Sequence, residues 1–175
     1  GEASAFPTIV AGGKRSAIPH ARPSSYSFKD NDWAIVDWGA RVNGYCADLT
    51  RVVVIGEVDS RFYQLLRIVE KAQQLAETII KEGVKAKEVD KVVRSFFKEE
   101  KVEEYFNHSL GHGVGIEIHE DPRLGPKSED ILKKGMVVTV EPGIYFPDWG
   151  GIRLENLVVV QEEGNKILDS LPLLL

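Results

Sequence analysis

An internal disulfide is excluded in this chain, because its 175 residues hold a single cysteine, Cys46. No apolar run approaches the roughly 18 residues that a membrane-spanning helix needs. A basic excess is missing too: 22 Lys and Arg stand against 27 Asp and Glu, a net charge of -5 with no long basic run. Nucleic acid and anionic membrane surfaces would meet no electrostatic footprint, so neither is expected as a partner. The opening "GEASAFPTIVAGG" has neither the basic start nor the continuous apolar core of a signal peptide, and it lacks an initiator Met. A fragment or processed product working in a reducing, cytoplasmic compartment is the expectation. Familiar catalytic patterns are absent as well. No GxGxxG, P-loop, GxSxG, HExxH or two-Cys, two-His zinc pattern occurs, which argues against a nucleotide cradle, a serine nucleophile elbow or a zinc finger.

What is present is enough apolar material, 43% of residues, for one sizeable core, and no linker splits the chain, so residues 1–175 are expected to form a single domain. Residues 1–30 are rich in Pro, Ser and Gly and read as strand and loop. "WAIVDWGA" and "YCADLTRVVVIG" read as strands joined by Asn43-Gly44, a strong hairpin signal. From Asp59 to Gly83 apolar residues recur at three-and-four spacing, which predicts an amphipathic helix capped by Asp59 or Ser60 and stopped by Gly83. A second helix is predicted from Val89, Val92, Val93, Phe96 and Phe97 on one face, with a solvated charged face opposite. "HSLGHGVGIEIHEDP" carries three alternating glycines and reads as a bulged strand. "MVVTVEPGIYF" and "IRLENLVVV" read as two more strands joined by "PDWGG". The order hairpin, two helices, second strand-rich region indicates an α+β architecture.

The acidic residues carry the chemistry. If Asn43 and Gly44 form the hairpin loop, Asp37 faces Thr50 and Gly39 faces Asp48, so Asp37 and Asp48 share one face as diagonal neighbours. Two carboxylates about 4 Å apart repel by roughly 4 kcal/mol at an effective dielectric of 20, unless a cation lies between them. Exposure of both on the hairpin is the alternative, weakened by the apolar runs beside them. Glu141 and Glu155 repeat the arrangement: a loop with an odd number of residues centred on Asp148 would set them opposite each other, and a two-residue loop would not. Pro142 favours a strand end or bulge just after Glu141. Three of the four histidines, His108, His112 and His119, fall within twelve residues among glycines, a poor filling for a core; the fourth is His20 in "SAIPHARPS".

In order and spacing, "SAIPHARPS", "DWG…GYCADLTR", "GHGVGIEIHE", "TVEPGIY" and "GGIRLEN" resemble the signature blocks of the metallopeptidases with the pita-bread fold. Among these the chain is similar to the Xaa-Pro peptidase branch, prolidase and aminopeptidase P, more than to methionine aminopeptidase. The likeness runs from about Pro7 to Leu168. It implies an antiparallel sheet with helices packed on its outer face and a centre of two divalent metal ions held by Asp37, Asp48, His112, Glu141 and Glu155. Mn²⁺ suits that mostly hard oxygen set, with Co²⁺, Zn²⁺ or Fe²⁺ as alternatives. The implied reaction is hydrolysis of the peptide bond before proline by a hydroxide bridging the two ions. Glu141 would carry the proton, His119 and His108 would contact substrate and intermediate, His20 would sit near the residue after the scissile bond, and Arg153 would brace the carboxylates. Tyr145 would line the substrate pocket or serve as a core aromatic. Relatives carry an N-terminal domain and form homodimers, so that domain is expected to be missing here. Trp38, Lys85 and Asn156 depart from the family pattern, Asn156 standing where an acidic residue is common. Methionine aminopeptidase, a creatinase-like hydrolase and a non-catalytic peptide-binding relic are the competing readings.

Overall fold

The run "DWAIVDW" is aromatic and β-branched along most of its length, a composition suited to a strand covered on both faces. In the structure, a computed structural model describing residues 1–175, it is the central strand of a three-stranded antiparallel sheet. The chain begins with strands β1 (Ala3–Ser4) and β2 (Ile9–Gly12), followed by a 3-10 turn at Gly13–Ala17. Strand β3 (Asp32–Trp38) then lies between β2 and β6 (Leu49–Ile55). Beyond Trp38 the hairpin continues as β4 (Ala40–Val42) and β5 (Tyr45–Cys46), which form a second small sheet with β1.

Pairing follows the predicted register at both ends of this hairpin: Asp37 is opposite Thr50, and Val42 is opposite Tyr45. Between them the ladder breaks at Gly39. A Cβ on Gly39 would lie 1.9 Å from the Ala47 carbonyl oxygen, so only hydrogen fits where the two strands close in beside Asp48.

Helix α1 (Ser60–Ile79) starts at Asp59, whose carboxylate accepts the Phe62 N–H at 2.9 Å. Gly83 does not stop it. The helix ends four residues earlier, where buried Ile80 turns to extended geometry to reach the core, and Gly83 takes a positive φ of 83° in the following turn. Helix α2 (Ala86–Glu99) begins at Lys85 with no side-chain cap. Its charged face is not wholly solvated: Asp90 is fully buried and holds Arg94 at 2.7 Å. That pair grips the next segment, since Asp90 accepts the Leu110 N–H while Arg94 donates to the carbonyls of Phe106 and His108.

The second strand region holds β7 (Gly111–Gly113), β8 (Glu120–Leu124), β9 (Val137–Val140), β10 (Gly143–Phe146), β11 (Gly150–Arg153), β12 (Asn156–Gln161) and β13 (Gly164–Ile167). These make a five-stranded antiparallel sheet, β13-β12-β9-β7-β8, and the pair β10-β11. The predicted bulge is at His112/Gly113. Each of the two long strands read from the sequence is interrupted, one at Glu141-Pro142 and the other at Leu154-Glu155, because Pro142 supplies no ladder N–H. One apolar cluster joins the helices to this region: Phe62, Val69, Val89 and Phe97 pack with Val138, Ile144, Ile152 and Val158.

Gly39→Ala is expected to force β3 and β6 apart and to cost about 1–3 kcal/mol of stability, the usual penalty for overpacking. Urea denaturation of the variant beside the parent chain measures it.

Candidate metal centre

Every acidic residue singled out in the sequence sits where a ladder ends. Asp37 is the penultimate residue of β3, Asp48 precedes β6, Glu141 follows β9, and Glu155 fills the step between β11 and β12. The pairs Val140 with Asn156 and Gly143 with Arg153 set Glu141 and Glu155 opposite each other across the hairpin. A strand end frees a side chain from the regular pleat while the flanking ladder still fixes its backbone. Both acidic pairs thereby point into one cavity of about 870 Å³. His20, His108, His112, His119, Tyr145 and Arg153 line the same cavity, so all ten residues picked out from the sequence come together there.

His112 is brought to the carboxylates by close strand packing: a Cβ on Gly111 would lie 2.0 Å from the Thr139 carbonyl oxygen. Its Nδ1 donates to the Gly113 carbonyl at 3.0 Å, which leaves Nε2 as a bare lone pair facing the acids. Nε2 lies 3.3 Å from Glu141 Oε1 and 3.6 Å from Asp48 Oδ2. Burial pushes the His112 imidazole down to about 4, with His119 and Arg123 adding to the shift, so the ring is neutral at physiological pH. Donor atoms of Asp48, His112 and Glu155 all lie within 4.8 Å of one another.

The carboxylates are uncomfortable without a cation. Burial, followed by the charges of Asp37 and Glu141, raises Asp48 to about 8. Burial raises Glu141 to about 7 against the opposing pull of Arg153 and Thr139, and Glu155 rises well above its ordinary value for the same first reason. Asp37 Oδ2 takes Arg153 Nη2 at 2.7 Å, yet its Oδ1 is buried with no partner. An orphaned carboxylate oxygen, crowded acids and an unprotonated imidazole nitrogen fit a divalent metal.

Two hydroxyls that the sequence reading passed over orient the acids. Thr50 Oγ1 donates to Glu155 at 2.7 Å and accepts from Arg153 Nε at 3.2 Å. Thr139 Oγ1 donates to Glu141 at 3.1 Å and accepts the His112 N–H at 3.0 Å. The signal was present in the alternation: Thr50 is two residues from Asp48 and Thr139 two from Glu141, hence on the same strand faces.

The histidines differ in availability. Both His108 nitrogens are engaged: Nδ1 donates to the Ser109 carbonyl at 2.8 Å and Nε2 accepts the Tyr145 hydroxyl at 2.9 Å. Tyr145 in turn accepts from Arg153 Nη1 at 3.0 Å. His119 is exposed at the cavity lip with its ring against His112, centroids 4.4 Å apart. His20 is also exposed, on the segment after the 3-10 turn, which Ser16 ties to β11 by accepting the Gly151 N–H at 2.8 Å.

The profile of metallopeptidase family M24 matches residues 1–162. The chain belongs to that family. It is 46% identical over 167 residues to an Xaa-Pro dipeptidase of Pyrococcus furiosus, covering 95% of this chain and 48% of that protein. Among solved structures, an X-Pro aminopeptidase from Thermotoga maritima MSB8 superposes with a TM-score of 0.97 at 44% identity, over 99% of this chain and 50% of that one. A prolidase from Pyrococcus furiosus gives 0.94 at 44% identity, over 97% and 50%. The pita-bread fold implied by the sequence motifs is thus the fold of this M24 chain, which spans about half the length of the curated relatives it matches.

Carboxylates raised from their unfolded values near 4 to about 7 and 8 bind more protons folded than unfolded across that interval. These carboxylates therefore contribute stability at the acidic side that is lost as pH rises toward 8, while His108 and His112, lowered from 6.5 to about 4, act oppositely up to about 6.5, so the net loss is clearest between about 6.5 and 8. Melting temperature after chelation is expected to fall between about pH 6.5 and 8, and the gain on adding Mn²⁺ to widen over the same range. Thermal scans in matched buffers check both trends.

Proposed function

We propose that this chain is the catalytic part of a peptidase that hydrolyses the peptide bond preceding proline in Xaa-Pro dipeptides or peptides. The convergence of Asp37, Asp48, His112, Glu141 and Glu155 on one cavity carries the reading, and the Xaa-Pro dipeptidases and X-Pro aminopeptidase among the relatives support the substrate class. Those five side chains would hold two divalent ions, with Mn²⁺ favoured over Co²⁺, Zn²⁺ or Fe²⁺. The ions would supply a hydroxide nucleophile at neutral pH and polarise the scissile carbonyl.

The chain's own groups do the rest. Arg153, paired with Asp37 and bonded to Thr50 and Tyr145, holds Asp37 in a fixed direction and, through Thr50, steadies Glu155. Glu141 takes the proton lost by the attacking water at a carboxylate oxygen and returns it to the departing proline nitrogen, so the amide becomes an acid and a secondary amine. His119, exposed at the lip, donates to the oxygen that gains charge as the carbonyl becomes tetrahedral. His20 meets the residue after the scissile bond, and His108 acts through Tyr145, whose hydroxyl it receives.

One catalytic unit over residues 1–175 is part of the same proposal, supported by the apolar cluster that joins both helices to the second strand region. A cytoplasmic setting agrees with the free thiol of Cys46, and a homodimer of the full-length protein rests on the family resemblance.

Ala-Pro and a longer Xaa-Pro peptide are expected to be cleaved by the Mn²⁺-loaded protein and spared after chelation, with Met-Ala-Ser left intact. Preference for Met-Ala-Ser would overturn the assignment. His119→Ala should lower kcat by about 10²–10³-fold, the loss typical of an oxyanion donor, while calorimetry shows the same metal stoichiometry.

A further inference from the structure

Thr50 and Arg51 are neighbours in β6, and strand alternation sends them to opposite faces. Thr50 turns toward the acids and bonds the Glu155 carboxylate; Arg51 goes to the other side of the strand and is only 1% exposed. Its Nη1 donates to the Thr50 carbonyl at 2.9 Å and to the Glu155 carbonyl. Its Nη2 donates to Asn156 Oδ1 at 3.1 Å and to the Leu171 carbonyl at 3.1 Å. Asn156 passes its own amide to Glu77 at 2.7 Å. One planar guanidinium thus spans Glu155, which lines the cavity, the next residue along the chain and the C-terminal segment.

That segment is anchored independently. Asp169 accepts the Leu157 N–H at 2.6 Å, Val54 donates to the Leu175 carbonyl at 3.1 Å, and Leu175 donates to the Val52 carbonyl at 2.9 Å. Leu174 lies parallel to Val52 at the β6 edge. Glu155, by contrast, lies between strands, where regular ladder bonds lapse. Its N–H reaches the Thr50 carbonyl at 3.2 Å, and Arg51 clamps its own carbonyl.

We propose that Arg51 is a positioning residue for Glu155, its buried fork locking the Glu155 backbone to β6 and to the 169–175 segment so that the carboxylate meets the metal at one angle. The inference rests on the reading of Glu155 as a metal ligand. A point charge would not do the same work, since a lysine ammonium cannot bridge the Glu155, Asn156 and Leu171 acceptors as a rigid fork.

The test compares Arg51→Lys, Arg51→Met, a chain ending at Ser170 and Glu155→Ala, each titrated with Mn²⁺ by calorimetry and with Co²⁺ by visible absorption, below its melting temperature. Both Arg51 variants and the shortened chain are expected to bind Mn²⁺ about 10–100-fold more weakly than the parent, as outer-shell changes commonly do, and to show an altered Co²⁺ spectrum. Arg51→Lys guards against misfolding of Arg51→Met. A lowered melting temperature with parent-like Mn²⁺ affinity and Co²⁺ spectrum in Arg51→Lys would overturn the positioning role. With Glu155→Ala weakened and the Arg51 variants unchanged, that role alone falls. Unchanged binding in Glu155→Ala overturns the ligand reading and the positioning role together.

Discussion

Mutual repulsion among four carboxylates, two buried and two half-buried, is the constraint around which the rest of the structure is arranged. Left to themselves the four would turn outward, and the raised values of Asp48, Glu141 and Glu155 express that tension. The fold keeps them inward by taking each from the end or interruption of a ladder whose flanking pairs cannot slip without turning apolar residues to water. Only one cation of the protein, Arg153, enters the group through a direct bond, to Asp37. The remaining attraction is what a divalent ion at the proposed centre would supply.

Packing far from the cavity serves the same end. The buried Asp90–Arg94 pair on α2 holds the carbonyl of His108 and the N–H of Leu110, and the Leu110 carbonyl accepts the Glu141 N–H at 2.9 Å. A helix face is thereby connected to the Glu141 backbone through one side-chain bond and one backbone bond. Trp33 plays a related part on the other side, donating its indole N–H to the Gly151 carbonyl at 2.9 Å and so aligning β11, which carries Arg153.

Much of this was legible in the residues. Asn43-Gly44 fixed the register of the first hairpin from local turn chemistry, and the symmetric spacing of Glu141 and Glu155 about Asp148 located the second pair. Both are short-range facts that one strand pair determines. The end of α1 was less visible because burial of Ile80, a tertiary preference, outweighed the local signal of Gly83. Asp90 looked like one more surface charge, since Leu110, whose N–H it accepts, and His108, whose carbonyl its partner Arg94 holds, are brought near only by the chain's return. The engagement of both His108 nitrogens lay beyond reach for the same reason: Tyr145 is 37 positions away.

The C-terminal segment has a bearing on association as well as on the cavity. A three-stranded sheet has two edges, and an edge strand offers unpaired N–H and C=O groups to any passing chain. Leu173 and Leu175 occupy that row along β6 with their own backbone, so strand-to-strand aggregation is blocked on the side where seven consecutive residues would otherwise invite it. The opposite margin ends in β2, four residues long, and brevity is its protection.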